Sequence, residues 1–135
     1  MTKSTPANKF VTDTMGLVLH MEQRRLSKSV KAIYEAAETG STIIYIPTIV
    51  FSEILYLSEK QRIDTSIQDV AEYLERYPNY KEYPLSFQVI QSTARITDIR
   101  ELHDRLIAGT ALFLNLDLIT NDPSIQASVF VNTVW

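Results

Sequence analysis

The run Thr42-Ile43-Ile44-Tyr45-Ile46-Pro47 is the clearest indication of fold class in this chain of 135 residues. Its β-branched and aromatic residues lack the polar alternation of a half-exposed strand, which is typical of a strand buried on both faces. Pro47 ends the run at a position that suits a helix start, and apolar residues then recur at helical spacing over residues 48–60. A buried strand that leads directly into a helix predicts an α/β fold with a parallel sheet.

Segments on either side of this run alternate between strand-like and helical patterns. Strand-like segments are rich in β-branched and aromatic residues, whereas helical segments carry apolar residues three and four positions apart between capping residues. This alternation predicts an α/β sandwich with a mainly parallel central sheet of about four or five strands, in one domain over residues 1–135. The other strands are predicted at residues 10–13, 80–83, 117–120 and 131–135, and the other helices at 17–21, 27–40, 66–77, 86–97 and 104–114.

The composition restricts the kinds of site that the chain can form. It has no Cys, and its two His residues, His20 and His103, lie far apart in the sequence. Disulfides and thiolate metal sites are therefore excluded, and an imidazole-rich zinc site is not expected. If the chain binds a metal, the ligands are oxygen atoms.

Charge and hydropathy indicate whether the chain binds nucleic acid or a membrane. A net charge of −3 argues against a protein that holds nucleic acid by broad basic attraction. Arg24, Arg25, Lys28 and Lys31 form the densest positive region, which is either a local basic groove or a solvated helix face. No apolar run approaches the roughly 18 residues that span a bilayer, and the polar residues 1–8 carry no signal region. We therefore expect a cytoplasmic protein with no membrane partner.

Four carboxylates occupy positions that a parallel sheet can bring together. Asp13 and Asp122 fall at or just after strand ends, and Asp104 falls at a helix N-terminus. Glu53 lies on an otherwise apolar helix. Polar ligands of α/β folds bind beyond the carboxyl ends of the strands, and Mg²⁺ and Mn²⁺ prefer oxygen ligands. These acids therefore predict a divalent metal site that could activate water and neutralise a phosphodiester.

Each acid also has a structural interpretation. Asp13 can be a strand-end turn residue, and Asp104 can be a helix N-cap. Asp122 precedes Pro123 and suits a turn or a cap in the same way. Glu53 is harder to explain, because an acid beside an apolar helix stripe is costly unless it is exposed or paired.

The order of four motifs resembles a PIN domain, particularly the toxin ribonucleases of VapBC toxin–antitoxin pairs. The motifs are Asp13-Thr14, Ser52-Glu53-Ile54-Leu55, His103-Asp104-Arg105-Leu106-Ile107-Ala108 and Leu118-Ile119-Thr120-Asn121-Asp122. The resemblance spans nearly the full chain and includes the closing residues 131–135. It implies a PIN-like α/β/α sandwich over residues 1–135.

The resemblance also implies an activity and the residues that perform it. Members of this family are metal-dependent endoribonucleases that use Mg²⁺ or Mn²⁺. By resemblance, Thr120 supplies a hydroxyl that supports the acidic cluster, and Arg105 either orients the third acid or meets RNA. From the sequence itself, Thr120 can equally be a β-branched strand residue, and Arg105 can be an exposed surface residue. The acidic ligands carried over to this chain, as both catalytic and metal-binding residues, are Asp13, Glu53, Asp104 and Asp122.

The partners that the resemblance implies are an RNA substrate, a small antitoxin protein and a second copy of the chain in a homodimer. The antitoxin is expected to cover the acidic cleft with a tail that carries a basic side chain. Tyr45, Tyr56 and Tyr73 could stack on RNA bases, but their spacing favours places in the core.

Two positions depart from the family pattern and keep other functions open. Met15 stands where the family commonly has Asn or Ser, and a thioether cannot donate a hydrogen bond. Asn121 stands where a basic residue is frequent. One alternative is therefore a catalytically weak or silent PIN-like module that binds protein or RNA. Another is a haloacid-dehalogenase-like or receiver-like phosphoryl-transfer domain, although Met15 replaces the second Asp that the former requires.

Overall fold

A computed structural model describes residues 8–135 and shows five parallel strands in one sheet. The predicted polar start, residues 1–7, lies outside the described residues. The strands are β1 (Asn8–Thr12), β2 (Thr42–Pro47), β3 (Tyr80–Tyr83), β4 (Asp117–Ile119) and β5 (Thr133–Val134). The helices are α1 (Thr14–Met21), α2 (Lys28–Glu38), α3 (Thr48–Glu59), α4 (Ile67–Arg76), α5 (Phe87–Arg95), α6 (Leu102–Leu114) and α7 (Pro123–Gln126).

The strand order β3-β2-β1-β4-β5 places β1 at the centre of the sheet. The connection from β1 leads to β2 on one side, whereas β4 pairs with β1 on the other side, with Thr12 opposite Ile119. The chain therefore reverses its direction of winding between β1 and β4. A crevice at the carboxyl ends of the strands forms at such a point, and this is where α/β folds bind their ligands.

Local sequence signals explain most helix ends. Ser27, Ser66 and Ser86 cap the N-termini of α2, α4 and α5, and each hydroxyl accepts a hydrogen bond from an amide three residues later. Gly40 follows the end of α2 with a φ of 93°, a left-handed conformation that favours glycine. These signals confirm the predicted helix positions to within a few residues.

Helices cover both faces of the sheet and close a core of aliphatic side chains. α5 and α6 approach closely at Gly109, where a Cβ atom would lie 1.9 Å from Thr93 Oγ1 and 2.9 Å from Thr93 Cα. The largest side chains with almost no exposure include Leu17, Ile44, Ile46, Ile54, Ile107, Leu118 and Ile119. This arrangement confirms the predicted α/β sandwich, with a sheet that is wholly rather than mainly parallel.

The structure corrects several details of the sequence prediction. Asp13 is the N-cap of α1 and follows β1 instead of ending it. The N-cap of α6 is Glu101, so Asp104 lies inside the first turn and the N-cap interpretation of Asp104 is wrong. A short helix, α7, follows Asp122 and was not predicted. Among the described residues, no helix is long and apolar enough to cross a bilayer.

Candidate functional site

A cleft of about 390 Å³ opens at the carboxyl ends of β1 and β4, where the direction of winding of the chain reverses. All four predicted acids line it, although they come from four separate parts of the chain. None of the lining residues in the described part of the chain is Lys, Arg or His. The lining consists of Asp13, Thr14, Met15, Glu53, Leu57, Asp104, Ile107, Asn121, Asp122 and Pro123. The cleft therefore concentrates negative charge without a basic side chain in its wall.

Asp13 is held rigidly at the base of the cleft. Asp13 is only 7% exposed, and its Oδ1 atom accepts a hydrogen bond of 2.7 Å from the amide of Gly16. Its own amide donates to the carbonyl of Ile119 on β4 at 3.1 Å. The pKa of Asp13 is raised to about 6, mainly by burial and also by the charges of Asp122 and Glu53, although hydrogen bonds from Thr120 and Gly16 act in the opposite direction.

Gly16 permits this close approach of α1 to the acid. A Cβ atom at this position would lie 2.9 Å from Asp13 Oδ1 and 2.7 Å from the hydroxyl oxygen of Tyr34. Tyr34 is fully buried and shares a hydrogen bond of 2.6 Å with the hydroxyl of Thr12. The glycine therefore allows the Asp13 carboxylate to stay within reach of the α1 amides.

Glu53 enters the cleft from the second turn of α3 and is bound by Thr14. The Thr14 hydroxyl donates a hydrogen bond to Glu53 Oε1. The other oxygen, Oε2, lies 3.8 Å from His103 Nδ1, which is also 3.2 Å from Glu101 Oε2. The sequence reasoning did not assign a role to Thr14, although a hydroxyl directly after the first acid was a visible signal.

Asp104 enters the cleft from the first turn of α6. Its amide donates to Glu101 Oε1 at 2.8 Å, which fixes the start of the helix. The pKa of Asp104 is raised to about 6, first by burial and then by the nearby carboxylates of Asp122, Glu101, Glu53 and Asp13. Since neighbouring acids disfavour ionisation, a bound cation would relieve this repulsion.

Asp122 combines a place in the cleft with a structural role. Its Oδ1 atom accepts hydrogen bonds from the amides of Ser124 and Ile125 at 2.8 and 3.3 Å, and from the Ser124 hydroxyl at 2.6 Å. The capping interpretation of this acid is therefore confirmed. All these bonds go to Oδ1. The Oδ2 atom takes no part in capping and can bind a cation in the cleft.

Thr120 and Arg105, the two predicted supporting residues, lie in different environments. Thr120 is fully buried; its hydroxyl accepts from the amide of Asp122 at 3.1 Å and lies near enough to Asp13 to lower the pKa of that acid. It thus links two of the acids. Arg105 Nη2 instead donates to the carbonyl of Thr93 on α5 at 3.1 Å, and Arg105 does not line the cleft. Among residues 8–135, no hydrogen bond or ion pair joins Arg105 to Asp104.

The donor set of the cleft suits a hard divalent cation, because it offers carboxylate and hydroxyl oxygens and no sulfur or imidazole apart from the thioether of Met15. The side chains do not form a ready coordination sphere. Within the described range, no three acidic or imidazole side chains are grouped closely enough to surround one ion. Mg²⁺ retains several of its waters in proteins, which lets carboxylates hold it partly at a distance. The residues therefore fit a hydrated ion that binds through some of the four acids.

Comparison with known proteins identifies the fold of this site. The model of the PIN domain family matches residues 10–129. No curated protein matches the sequence significantly. Solved structures with the same fold include VapBC2 from Rickettsia felis bound to a promoter DNA fragment, with a TM-score of 0.72 and 18% identity. The alignment covers 94% of this chain and 98% of that one.

Two further structures share the fold at similarly low identity. DNA-bound VapBC from Salmonella typhimurium has a TM-score of 0.69 and 16% identity over 94% of this chain and 97% of that chain. A toxin–antitoxin complex from Klebsiella pneumoniae has a TM-score of 0.61 and 18% identity over 93% of this chain and 95% of the other. At these identities the structural likeness concerns the fold.

Proposed function

The chain belongs to the PIN domain family, and from this premise we propose that it is a metal-dependent endoribonuclease that hydrolyses RNA phosphodiester bonds. One observation carries the proposal. Four carboxylates that are far apart in the sequence line a single cleft at the carboxyl edge of the sheet, and none of the described residues in its lining is basic. A cleft of this kind repels a phosphodiester unless a cation binds first. Catalysis therefore depends on Mg²⁺ or Mn²⁺.

The chain's own residues then have distinct roles. Asp13, Glu53, Asp104 and Asp122 hold the cation, which when bound would lower the pKa of water and neutralise charge on the phosphate. Thr120 fixes Asp13 relative to Asp122, because its buried hydroxyl contacts both residues. Thr14 fixes Glu53 through its hydrogen bond.

The proposed biological role is that of the toxin in a type II toxin–antitoxin pair, in the cytoplasm. The solved structures of the same fold include VapBC complexes and one described as a toxin–antitoxin complex. An antitoxin could inhibit the nuclease by inserting a basic side chain among the four acids, since the cleft wall supplies no cation of its own. The toxin proposal includes a homodimer, as the family resemblance implies.

Met15 supports a second candidate, a catalytically weak or silent module that binds protein or RNA. The side chain lines the cleft beside Asp13 and Thr14, at a place where it can neither donate a hydrogen bond nor hold a metal-bound water. The Thr14 hydroxyl one position earlier supplies a donor in this part of the cleft. We therefore favour the nuclease.

Cleavage of RNA by the purified protein tests the proposal. The parent protein should cut RNA in Mg²⁺ or Mn²⁺ and lose this activity in excess chelator. Asp13→Asn should abolish cleavage while the protein stays folded, because the amide keeps the size of the acid but not its charge. Asp117→Asn is the matched control, since Asp117 is exposed at the opposite end of β4. Equal cleavage by the parent and Asp13→Asn would refute the assignment.

A further inference from the structure

Tyr56 is the one tyrosine of the chain with no aromatic neighbour. The chain contains seven tyrosines, all within the described residues. The other six pack against rings: Tyr34, Tyr73, Tyr77 and Tyr80 form one cluster, and Tyr45 packs on Tyr83. Tyr56 is instead 52% exposed, so the prediction that it lies in the core is wrong.

Tyr56 borders a second cavity that adjoins the acidic cleft. This cavity has a volume of about 380 Å³ and is lined by Ser52, Glu53, Tyr56, Leu57 and His103. Glu53 and Leu57 also line the acidic cleft, so the two spaces share a wall. A molecule bound in the cleft can therefore extend over Leu57 to the ring of Tyr56.

The groups around this cavity match the parts of a nucleotide. Tyr56 and the half-exposed imidazole of His103 offer ring faces, and Leu57 offers an apolar surface. His103 Nδ1 faces the carboxylates of Glu101 and Glu53, which fixes the imidazole at the rim. Lys60 Nζ lies over one face of the Tyr56 ring, 5.7 Å from its centre, and so adds a cation next to the ring and leaves the other face for a base.

We propose that Tyr56, Leu57 and His103 form a nucleobase subsite, which binds the base of a nucleotide next to the phosphate held in the acidic cleft. This inference rests on the proposed nuclease function and names the form of its substrate. A base can stack on Tyr56 only if it has left its own stack, so the RNA must be unpaired at this nucleotide. Lys60 then contacts the next phosphate along the strand.

The occupant that the structure favours is RNA rather than a protein segment. The cavity is largely apolar, but it shares Glu53 and Leu57 with the cleft that is proposed to hold the RNA backbone. Lys60, beside the Tyr56 ring, adds a cation that suits a phosphate. A single-stranded RNA presents phosphates, which bind cations, and bases, which stack on aromatic rings. A second copy of the chain is the competing occupant, and the experiment separates it from RNA.

The test measures binding of a short fluorescent single-stranded RNA of mixed sequence with Ca²⁺ in place of Mg²⁺, which leaves the four acids intact and supplies an oxygen-ligated cation. A gel verifies that the RNA stays uncut. Tyr56→Ala should raise the dissociation constant roughly 10-fold, and Tyr56→Phe should leave it within about twofold, because stacking needs the ring and not the hydroxyl. Phe87→Ala is the matched control, since Phe87 is 71% exposed on α5 and lines neither cavity. A fully paired RNA should bind equally to all variants.

Three outcomes would overturn the subsite. Equal binding of single-stranded RNA by Tyr56→Ala and by the parent would show that the ring makes no base contact. An equal loss of duplex binding would show a contact that does not depend on an unpaired base. Dissociation of a dimer by Tyr56→Ala, with RNA binding unchanged, would assign the surface to a second copy of the chain.

Failure of the subsite and failure of the nuclease proposal are distinguishable. If the parent cuts RNA and Tyr56→Ala cuts it with the same KM and kcat, the subsite is wrong and the nuclease assignment stands. If the parent binds single-stranded RNA through Tyr56 but does not cut it in Mg²⁺ or Mn²⁺, the nuclease assignment is wrong and the subsite stands. If the parent does not bind RNA, both proposals are wrong.

Discussion

The hydroxyl of Thr14, at the start of α1, donates a hydrogen bond to Glu53 Oε1 in the middle of α3. The two residues are 39 positions apart, so this contact ties two helices together at the cleft. It also orients one of the four acids. Hydrogen-bond partners of metal-binding carboxylates orient those carboxylates. We therefore expect loss of this contact to lower the activity more than the stability.

Thr14→Val should reduce RNA cleavage roughly 10- to 100-fold, as the loss of an orienting partner typically does. Valine has the shape of threonine but cannot donate to Glu53. Thr14→Ser restores the hydroxyl and should recover most of the activity, and both variants should melt close to the parent. Cleavage rates measured against Mg²⁺ concentration test this expectation. Full activity of Thr14→Val would show that the contact does not position Glu53 for catalysis.

Asp13→Asn should stabilise the metal-free protein at pH 8. The folded pKa of Asp13, about 6, lies above its ordinary value of 3.8. Protonation of Asp13 therefore contributes to the free energy of unfolding. This contribution is fully present below pH 3.8 and is lost as the pH rises through about 6. A neutral amide avoids this loss, so the gain over the parent should be on the order of 3 kcal/mol at pH 8 and should vanish near pH 3.8.

Denaturant unfolding in chelator at several pH values measures this difference. Excess Mg²⁺ should then stabilise the parent but not Asp13→Asn, since the ion compensates the buried charge only where a carboxylate is present. Asp117→Asn should show neither effect. A parent that is more stable than Asp13→Asn at pH 8 without metal would contradict the burial cost assigned to this acid.

Gly109→Ala should destabilise the fold by roughly 1–3 kcal/mol, because the added methyl group overpacks the contact between α5 and α6. Its Cβ atom would lie 1.9 Å from Thr93 Oγ1, which is itself held by a hydrogen bond of 2.8 Å to the carbonyl of Val89. Gln91→Ala, on the exposed face of α5, is the control and should change stability by less than about 0.5 kcal/mol. Thermal or urea unfolding of the two variants measures the difference. An unchanged midpoint for Gly109→Ala would mean that α5 and α6 can move apart without loss of stability.

The sequence was sufficient for the parallel sheet and for most helices because these depend on local patterns. The apolar run of β2 ends at Pro47 as a buried strand should, and Ser27, Ser66 and Ser86 begin helices as capping residues do. The helix α7 was missed because it has only four residues, too few for a periodic pattern. Its signal was the cap Asp122 followed by Pro123.

The candidate site was predictable in its acids and less so in its supporting contacts. Strand ends at one edge of a parallel sheet must converge, so the positions of Asp13 and Asp122 in the sequence were enough to place them together. The direction of a long side chain depends on tertiary packing, which local sequence does not encode. This is why the sequence left open whether Arg105 orients Asp104, meets RNA or is a surface residue, whereas in the structure it contacts Thr93. It is also why the exposed ring of Tyr56 was expected in the core.

Calorimetric titration with Mn²⁺ tests most directly the central claim that the four acids form one metal site. The parent and Asp117→Asn should bind Mn²⁺ with the same affinity. Replacing Asp13, Glu53, Asp104 or Asp122, one at a time, by its amide should weaken or abolish that binding. No Mn²⁺ binding by the parent, or parent-like affinity in all four variants, would contradict the claim.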